Sequence, residues 1–103
     1  MTDRTSRIQL RNPDPTKSSP RMERATYAVA RGVALSVVPA TEPGITLPDF
    51  LDAMKARLQK ADGWDRSASA GWWAMAIKLD LEARGELRRV KAKPPQRLVR
   101  TAG

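Results

Sequence analysis

The order of signals in the last third of the chain constrains its fold more than any other feature. An apolar segment, AGWWAMAIKLDLEAR, runs into Gly85, and two short β-compatible segments separated by Pro94 and Pro95 follow it. A glycine directly after an apolar segment of helical periodicity is typical of a helix end. We therefore predict a helix capped by Ser67 or Ser69 that runs to Arg84, followed by a hairpin with strands over residues 87–91 and 96–100.

Two further helices are predicted upstream of this unit. The first runs from about residue 21 to Val38, with Met22, Val29 and Val33 on its apolar stripe and several alanines that permit close packing. The second follows an N-cap at Thr46 and extends to about Lys60, after a short β-compatible stretch. The predicted class is mainly α with a small β-sheet (α+β): a winged helix of three helices and a C-terminal two-stranded wing.

The first twenty residues differ from the rest in composition. Pro13, Pro15 and Pro20 prevent a continuous helix there, and basic and small polar residues dominate. We predict an extended or mobile basic N-terminal arm over residues 1–20 and a winged helix-like domain over residues 21–101. Residues 7–11 alternate polar and apolar side chains, so they could add a strand to a sheet edge.

The residue types present favour a binding protein over an enzyme. The chain has neither cysteine nor histidine, which excludes disulfides, thiolate and imidazole metal ligands, cysteine nucleophiles and histidine general bases. Asp62 and Asp65 share a short loop but lack the ligand number of a calcium site. We expect no catalytic residues, no metal and no cofactor. The sequence shows no apolar run that could span a membrane and no secretion signal, so we expect a cytoplasmic protein.

The formal charge of +8 is concentrated at the two ends of the chain. Residues 1–24 hold six basic against three acidic residues, and residues 84–103 hold seven basic residues against Glu86 alone. The middle of the chain is nearly neutral, with six basic and seven acidic residues. Such a distribution attracts polyanions. The alternative is that the charges only solvate the surface and keep the wing from pairing edge to edge.

The candidate nucleic-acid contacts follow from this charge pattern. We expect them in the wing, on the third helix and in the arm: Arg88, Arg89, Lys91, Lys93, Arg97 and Arg100; Lys78 and Arg84; Arg4, Arg7 and Arg11. Asp80 and Glu82 on the third helix would repel phosphates, so we expect contacts through the wing and the arm more than base reading by the helix.

The third helix carries apolar side chains on two sides. At about 100° per residue, Trp72 and Leu79 belong to one stripe, and Trp73 and Ile77 belong to the other. The remaining sector, which we predict to face solvent, holds Ala74, Lys78 and Glu82. Two apolar sides need two partners, and the second could be the N-terminal segment, the wing or another protomer.

The three tryptophans are candidate core or interface residues. Trp72 and Trp73 are expected in the core or in an interface, because large rings stabilise most when buried. Trp64 lies in a polar loop and is expected at a surface or a contact, where it could stack on an RNA base. The two apolar faces of the third helix indicate an alternative function, in which the protein is a protein-interaction or dimerisation module.

Over about residues 21–101, the chain resembles the winged helix-turn-helix domains of bacterial regulators. The resemblance lies in three segments: ITLPDFLDAMKARL, WWAMAIKLDLEARGELRRV and PQRLVR. The AGWWA start, the LDLEA-x-G helix end and the PQRLVR strand are similar to a small uncharacterised bacterial family of single-domain proteins. The resemblance implies a winged-helix fold that binds DNA. We therefore expect a protein that binds duplex DNA, that could act as a transcriptional regulator and that could form a homodimer. The resemblance implies no functional residue, and the same fold also serves in protein interaction.

Overall fold

The computed structural model describes residues 6–90 and 94–101. Its elements, in chain order, are β1 (Arg7–Gln9), β2 (Arg21–Glu23), α1 (Arg24–Val37), β3 (Ile45–Thr46), α2 (Leu47–Leu58), α3 (Ala70–Ala83), β4 (Leu87–Val90) and β5 (Arg97–Arg100). The predicted α+β arrangement of three helices followed by a two-stranded wing is confirmed.

The wing belongs to a three-stranded antiparallel sheet in the order β3-β5-β4. Leu87 faces Arg100 across the wing, and Ile45 faces Leu98 on the other side of β5. The short strand before α2 therefore ties the wing to the helices. The central strand β5 is paired on both edges, and Leu87, Leu98 and Val99 of the wing are buried.

The helix boundaries follow the local signals in the sequence. The Thr46 hydroxyl accepts a hydrogen bond from the Asp49 amide, and the Ser69 hydroxyl accepts one from the Trp72 amide, each at 3.3 Å. Gly85 has a φ of 79°, the left-handed conformation that ends a helix. These caps confirm the predicted starts of α2 and α3 and the predicted end of α3.

The N-terminal segment differs from the prediction. Residues 21–23 do not begin the first helix, because they are extended and pair with β1, with Ile8 opposite Met22. Leu10 is buried in the core. The expected boundary between residues 20 and 21 therefore separates β1 from its partner strand β2. The apolar side chains Leu10 and Met22, one on each side of this boundary, both lie in the core. We call residues 7–23 the N-terminal hairpin.

The core lies between the three helices and the inner face of the sheet. Its fully buried centre includes Phe50, Met54, Ile77, Leu81 and Leu98. The buried positions of α1 are Tyr27 and two small residues, Ala30 and Ala34, whereas the valines of the predicted stripe are only half-buried. Alanine at these positions lets the backbone of α1 approach its neighbours closely, so the small residues form the contact.

Replacing Gly44 with alanine is expected to destabilise the domain by roughly 3 kcal/mol or more, beyond the ordinary cost of a left-handed alanine. Gly44 has a φ of +78°, and a Cβ there would lie 2.1 Å from the Leu98 carbonyl oxygen. Gly85 is the matched control, because its φ is +79° and its Cβ would meet nothing within 4 Å. Gly85→Ala should cost about 1–2 kcal/mol. Equal losses in urea denaturation would contradict the close approach at Gly44.

Candidate nucleic-acid interface

The N-terminal hairpin is fastened to α3 by one buried carboxylate. Asp80 is fully buried and accepts hydrogen bonds from the Arg11 amide at 2.9 Å, from the Tyr27 hydroxyl at 2.6 Å and from Arg84 Nε at 2.9 Å. Arg84 Nη2 also donates to the Gln9 carbonyl at 3.2 Å. A buried charge is tolerated when its partners are this complete. Asp80 therefore joins the hairpin, α1 and α3.

Arg84 serves this network and is not the free nucleic-acid contact that the sequence suggested. Its guanidinium binds Asp80 and lies 5.5 Å from the centre of the Tyr27 ring. The helical spacing of Asp80 and Arg84, four residues apart, allows this pair to form on one side of α3. The sequence shows the spacing, but only the fold reveals that Asp80 is buried and needs the partner.

Tyr27 should ionise only well above its ordinary range. Burial, together with the hydrogen bond to the negative Asp80, raises the pKa of the Tyr27 hydroxyl. Because the pKa of Tyr27 is higher in the folded state than in the unfolded state, its hydrogen bond contributes its full stabilisation below the unfolded-state pKa of about 10. This contribution is lost as the pH rises through the folded-state pKa. Tyr27 is the single tyrosine of the chain, so an alkaline absorbance titration reports it alone. Ionisation of Tyr27 near the ordinary tyrosine pKa of about 10, with the fold intact, would contradict the buried hydrogen bond.

The outward face of the hairpin is polar and carries two arginines. Arg7, Gln9, Arg21 and Glu23 are exposed, while the alternating residues between them point to the core. Arg21 Nε donates to Gln9 Oε1 at 3.3 Å. The prediction named Arg7 but omitted Arg21, which the pairing of β1 with β2 places opposite Gln9, while Glu23 lies opposite Arg7.

The wing places its arginines on two different faces. Directly opposed residues of an antiparallel pair share a face. The register therefore puts Arg88 and Arg97 on one face, and Arg89 and Arg100 on the other. The six basic residues expected to act as one group are divided by the sheet, and Lys91 and Lys93 lie outside the described residues.

Each described wing arginine has a partner within the protein. Arg88 pairs with Glu42 and Arg89 pairs with Glu82, each at 2.9 Å, and both arginine side chains remain about half-exposed, at 52% and 53%. On the two ends of β5, Arg97 lies 3.5 Å from the Gly44 carbonyl oxygen and Arg100 Nε donates to the Val38 carbonyl at 2.8 Å. The pair of Arg88 with the exposed Glu42 contributes little net free energy, so Arg88 can exchange that carboxylate for another anion. Arg89 pairs with the nearly buried Glu82, and its own side chain stays half-exposed.

Lys78 is not available to a ligand, contrary to its place among the expected contacts. It is 1% exposed, and its Nζ lies 2.6 Å from Glu82 Oε2. Ala74, predicted on the same solvent-facing sector, is fully buried, and the Glu82 side chain is 8% exposed. The prediction was wrong because α3 turns this sector toward the core and the wing, with the lysine stem packed as an apolar chain.

The outward side of α3 is the stripe that begins with Trp72. Trp72 is 55% exposed, while Met75, Ala76 and Leu79 are half-buried and line a cleft together with Asn12 and residues 18–20 of the hairpin. The Trp73 ring packs edge to face with Trp72, with centroids 4.7 Å apart. Of the predicted interface tryptophans, Trp72 is the one the fold leaves accessible.

Trp64 is buried, contrary to the expected surface position. It is 5% exposed and belongs to the hydrophobic core. Its loop turns inward at Gly63, which has a φ of +86°, and Asp65 accepts hydrogen bonds from the Ser67 amide and hydroxyl just beyond it. Those bonds lower the pKa of Asp65. A ring buried in this way offers no face for stacking on an RNA base.

The hairpin and the wing lie on opposite sides of α3. Asp80 holds the hairpin and Glu82 holds Arg89 of the wing, and two residues span about 200° around a helix. The outward apolar stripe lies between these two attachment points. Two arginine-bearing β elements therefore flank the exposed face of α3. Arg7 and Arg11 of the hairpin have exposed side chains, and Arg4 lies outside the described residues.

The described part of the chain contains no cluster of three or more acidic residues that could hold a metal ion. Among the same residues, no helix has the length and apolar character required to cross a membrane.

Comparison with known proteins gives one family. No curated protein and no solved structure matches the chain significantly. A family model, described as a family of unknown function (DUF6958), matches residues 7–98, which span the N-terminal hairpin, all three helices and most of the wing. The match covers most of the chain, and the chain therefore belongs to DUF6958.

Proposed function

We propose that this protein binds duplex DNA with the N-terminal hairpin and the wing placed on either side of α3. The observation that carries the proposal is the attachment of these two arginine-bearing elements to Asp80 and Glu82, on opposite sides of one helix. The net charge of +8 and the resemblance to winged helix-turn-helix domains support it. Phosphates on the two sides of a groove would meet cations from the two elements.

The contacts expected to matter most are four exposed arginines, two in the hairpin and two on the opposite faces of the wing. Arg7 and Arg11 contribute from the hairpin. From the wing, Arg88 contributes after exchanging its exposed partner Glu42 for phosphate, and Arg89 contributes with the exposed part of its side chain while it keeps its pair with Glu82. Arg97 and Arg100 are held by backbone carbonyls and add charge to the wing, as Lys91 and Lys93 do.

The outward face of α3 argues against base reading in the major groove. Trp72, Met75, Ala76 and Leu79 carry no group of the kind that makes bidentate hydrogen bonds to base edges. Phosphate contacts position a protein on DNA without reading sequence. We therefore expect duplexes of different sequence to bind with similar affinity.

Two double variants test the proposal against a control of equal charge change. Arg7→Ala/Arg11→Ala and Arg88→Ala/Arg89→Ala should each weaken duplex binding about tenfold at low salt and reduce the salt slope by about two. Arg57→Ala/Lys60→Ala removes two exposed cations from the end of α2 and should change little. Equal losses in all three variants would mean that only net charge matters, and the proposed surface would be wrong.

A second candidate function is self-association through the outward face of α3, and the exposure of Trp72 favours it. Two copies joined there would each carry a charge of +8, so added salt should strengthen the dimer. Duplex binding has the opposite salt response. Light scattering at low and high salt separates the two functions, and Trp72→Ala should abolish a dimer of this kind.

A further inference from the structure

The outward face of α3 forms one side of a cleft whose other side is the N-terminal hairpin. Trp72, Met75, Ala76 and Leu79 form the apolar wall, and Pro20 continues it. The cleft measures about 240 Å³, below the roughly 300–1,000 Å³ of pockets that enclose whole drug-sized ligands. Its size and its apolar wall fit one planar ring system.

The opposite rim of the cleft is polar. Asn12, Ser18 and Ser19 line it, and these side chains can donate and accept hydrogen bonds at the edge of a bound ring. The same three residues also line a wider trough, which is formed by the hairpin and reaches Ala83 at the end of α3. The cleft and the trough therefore meet along these residues.

The trough is where the charges lie. Arg11 and Lys17 line it, and both side chains are exposed and make no ion pair within residues 6–90 and 94–101. Asp14 also lines it, with a carboxylate that accepts hydrogen bonds from the Thr16 amide and hydroxyl. Two cations against one carboxylate leave the trough positive. An apolar ring site therefore adjoins an anion-attracting surface.

We propose that this cleft receives an unpaired nucleobase, which stacks on Trp72 while the adjoining phosphates lie against Arg11 and Lys17. The inference rests on the proposed nucleic-acid function and names its substrate class: duplex DNA that ends in, or is interrupted by, an unpaired nucleotide. Bases stack on exposed aromatic rings regardless of sequence, because every base has a π face. The edge-to-face contact with Trp73 fixes the orientation of the Trp72 ring before a base arrives.

The charges favour this occupant over a second copy of the chain. A dimer through this face would bring the cations of two chains with a charge of +8 close together, whereas a nucleic-acid strand supplies a ring and compensating anions in one molecule.

Three DNA probes and the full chain test the inference. The probes are a blunt duplex, the same duplex with a short single-stranded thymidine extension, and the same duplex with an abasic extension of equal length. Stacking of one base corresponds to roughly a 5- to 150-fold gain in affinity. The thymidine extension should gain affinity in this range over the abasic one, because the two differ only in the bases.

Substitutions at Trp72 then locate the effect. Trp72→Ala should remove the preference for thymidine over abasic extensions and leave blunt-duplex affinity unchanged, while Trp72→Phe should retain most of it. Lys17→Ala should weaken binding of both extensions relative to the blunt duplex, and Lys60→Ala, a control on an exposed lysine outside the cleft and trough, should not. Circular dichroism checks that each variant is folded.

The outcomes separate this inference from the proposed function. Equal affinity for thymidine and abasic extensions, with normal blunt-duplex binding, would overturn the inference alone. Absence of binding to every probe would overturn the proposed function and the inference with it. A fall in molecular mass on Trp72→Ala in light scattering would show that a second copy occupies the face, which also overturns the inference.

Discussion

Asp80→Ala is expected to destabilise the folded domain by about 3–5 kcal/mol, a large part of the total stability of a small domain. The substitution leaves the half-buried Arg84 without its carboxylate and removes the acceptors for the Tyr27 hydroxyl and the Arg11 amide. The N-terminal hairpin should detach first, because Asp80 holds it to α3. Chemical denaturation gives the free energy, and amide exchange of residues 7–11 shows where the loss begins.

A double-mutant cycle apportions the network. Tyr27→Phe removes only the hydroxyl and should cost about 1.5–3 kcal/mol, because its acceptor is charged. In an Asp80→Asn background the same change should cost much less. If Asp80→Ala lowers the free energy of unfolding by less than about 1 kcal/mol, the hydrogen bonds of Asp80 do not hold the hairpin to α3.

Glu82→Ala should lower the free energy of unfolding much more than Lys78→Met, although the two substitutions change the two partners of one ion pair. Removing Glu82 leaves the buried Lys78 ammonium without its carboxylate and should cost about 3–5 kcal/mol. Lys78→Met replaces the ammonium with an apolar group of similar length, and Glu82 keeps its second partner, Arg89, at 2.9 Å. This variant should therefore stay within about 1 kcal/mol of the wild type, because no buried charge is left unpaired. Urea denaturation of both variants measures the difference.

The same pair of variants bears on function. Lys78→Met should leave duplex affinity unchanged, because the Lys78 side chain is buried and cannot reach a phosphate. A clear loss of affinity in this variant, with stability intact, would return Lys78 to the binding surface.

Local signals in the sequence were sufficient to predict α2, α3 and the wing. Thr46 and Ser69 cap their helices, and Gly85 ends α3, because each of these residues acts through backbone groups within three or four positions. The proline-containing turn and the alternation around it predict the wing for the same reason.

The orientation of α3 could not be derived in this way. Its apolar residues lie on two sides, so the periodicity does not say which side meets the core, and the wrong sector was assigned to solvent. Ala74 is buried in the core, and Lys78 is buried beside Glu82, which also binds Arg89 of the wing. Contacts between residues that are distant in sequence determine which side of α3 faces the core.

The N-terminal hairpin shows the same limit of local signals. The alternation of residues 7–11 indicated a strand, but the partner strand at residues 21–23 had the periodicity of a helix start. Pairing with β1 and burial of Met22 overrode that local preference. The cations of this segment were therefore assigned to a separate arm, whereas Asp80 holds them beside α3.

The salt dependence of binding to a blunt DNA duplex tests the central claim most directly. If Arg7, Arg11, Arg88 and Arg89 each contact a phosphate, the logarithm of the affinity should fall with the logarithm of salt concentration at a slope of about −3 to −4. The slope should be the same for duplexes of unrelated sequence. Undetectable binding at low salt, or an affinity that does not change with salt, would contradict a phosphate-binding surface formed by the hairpin and the wing.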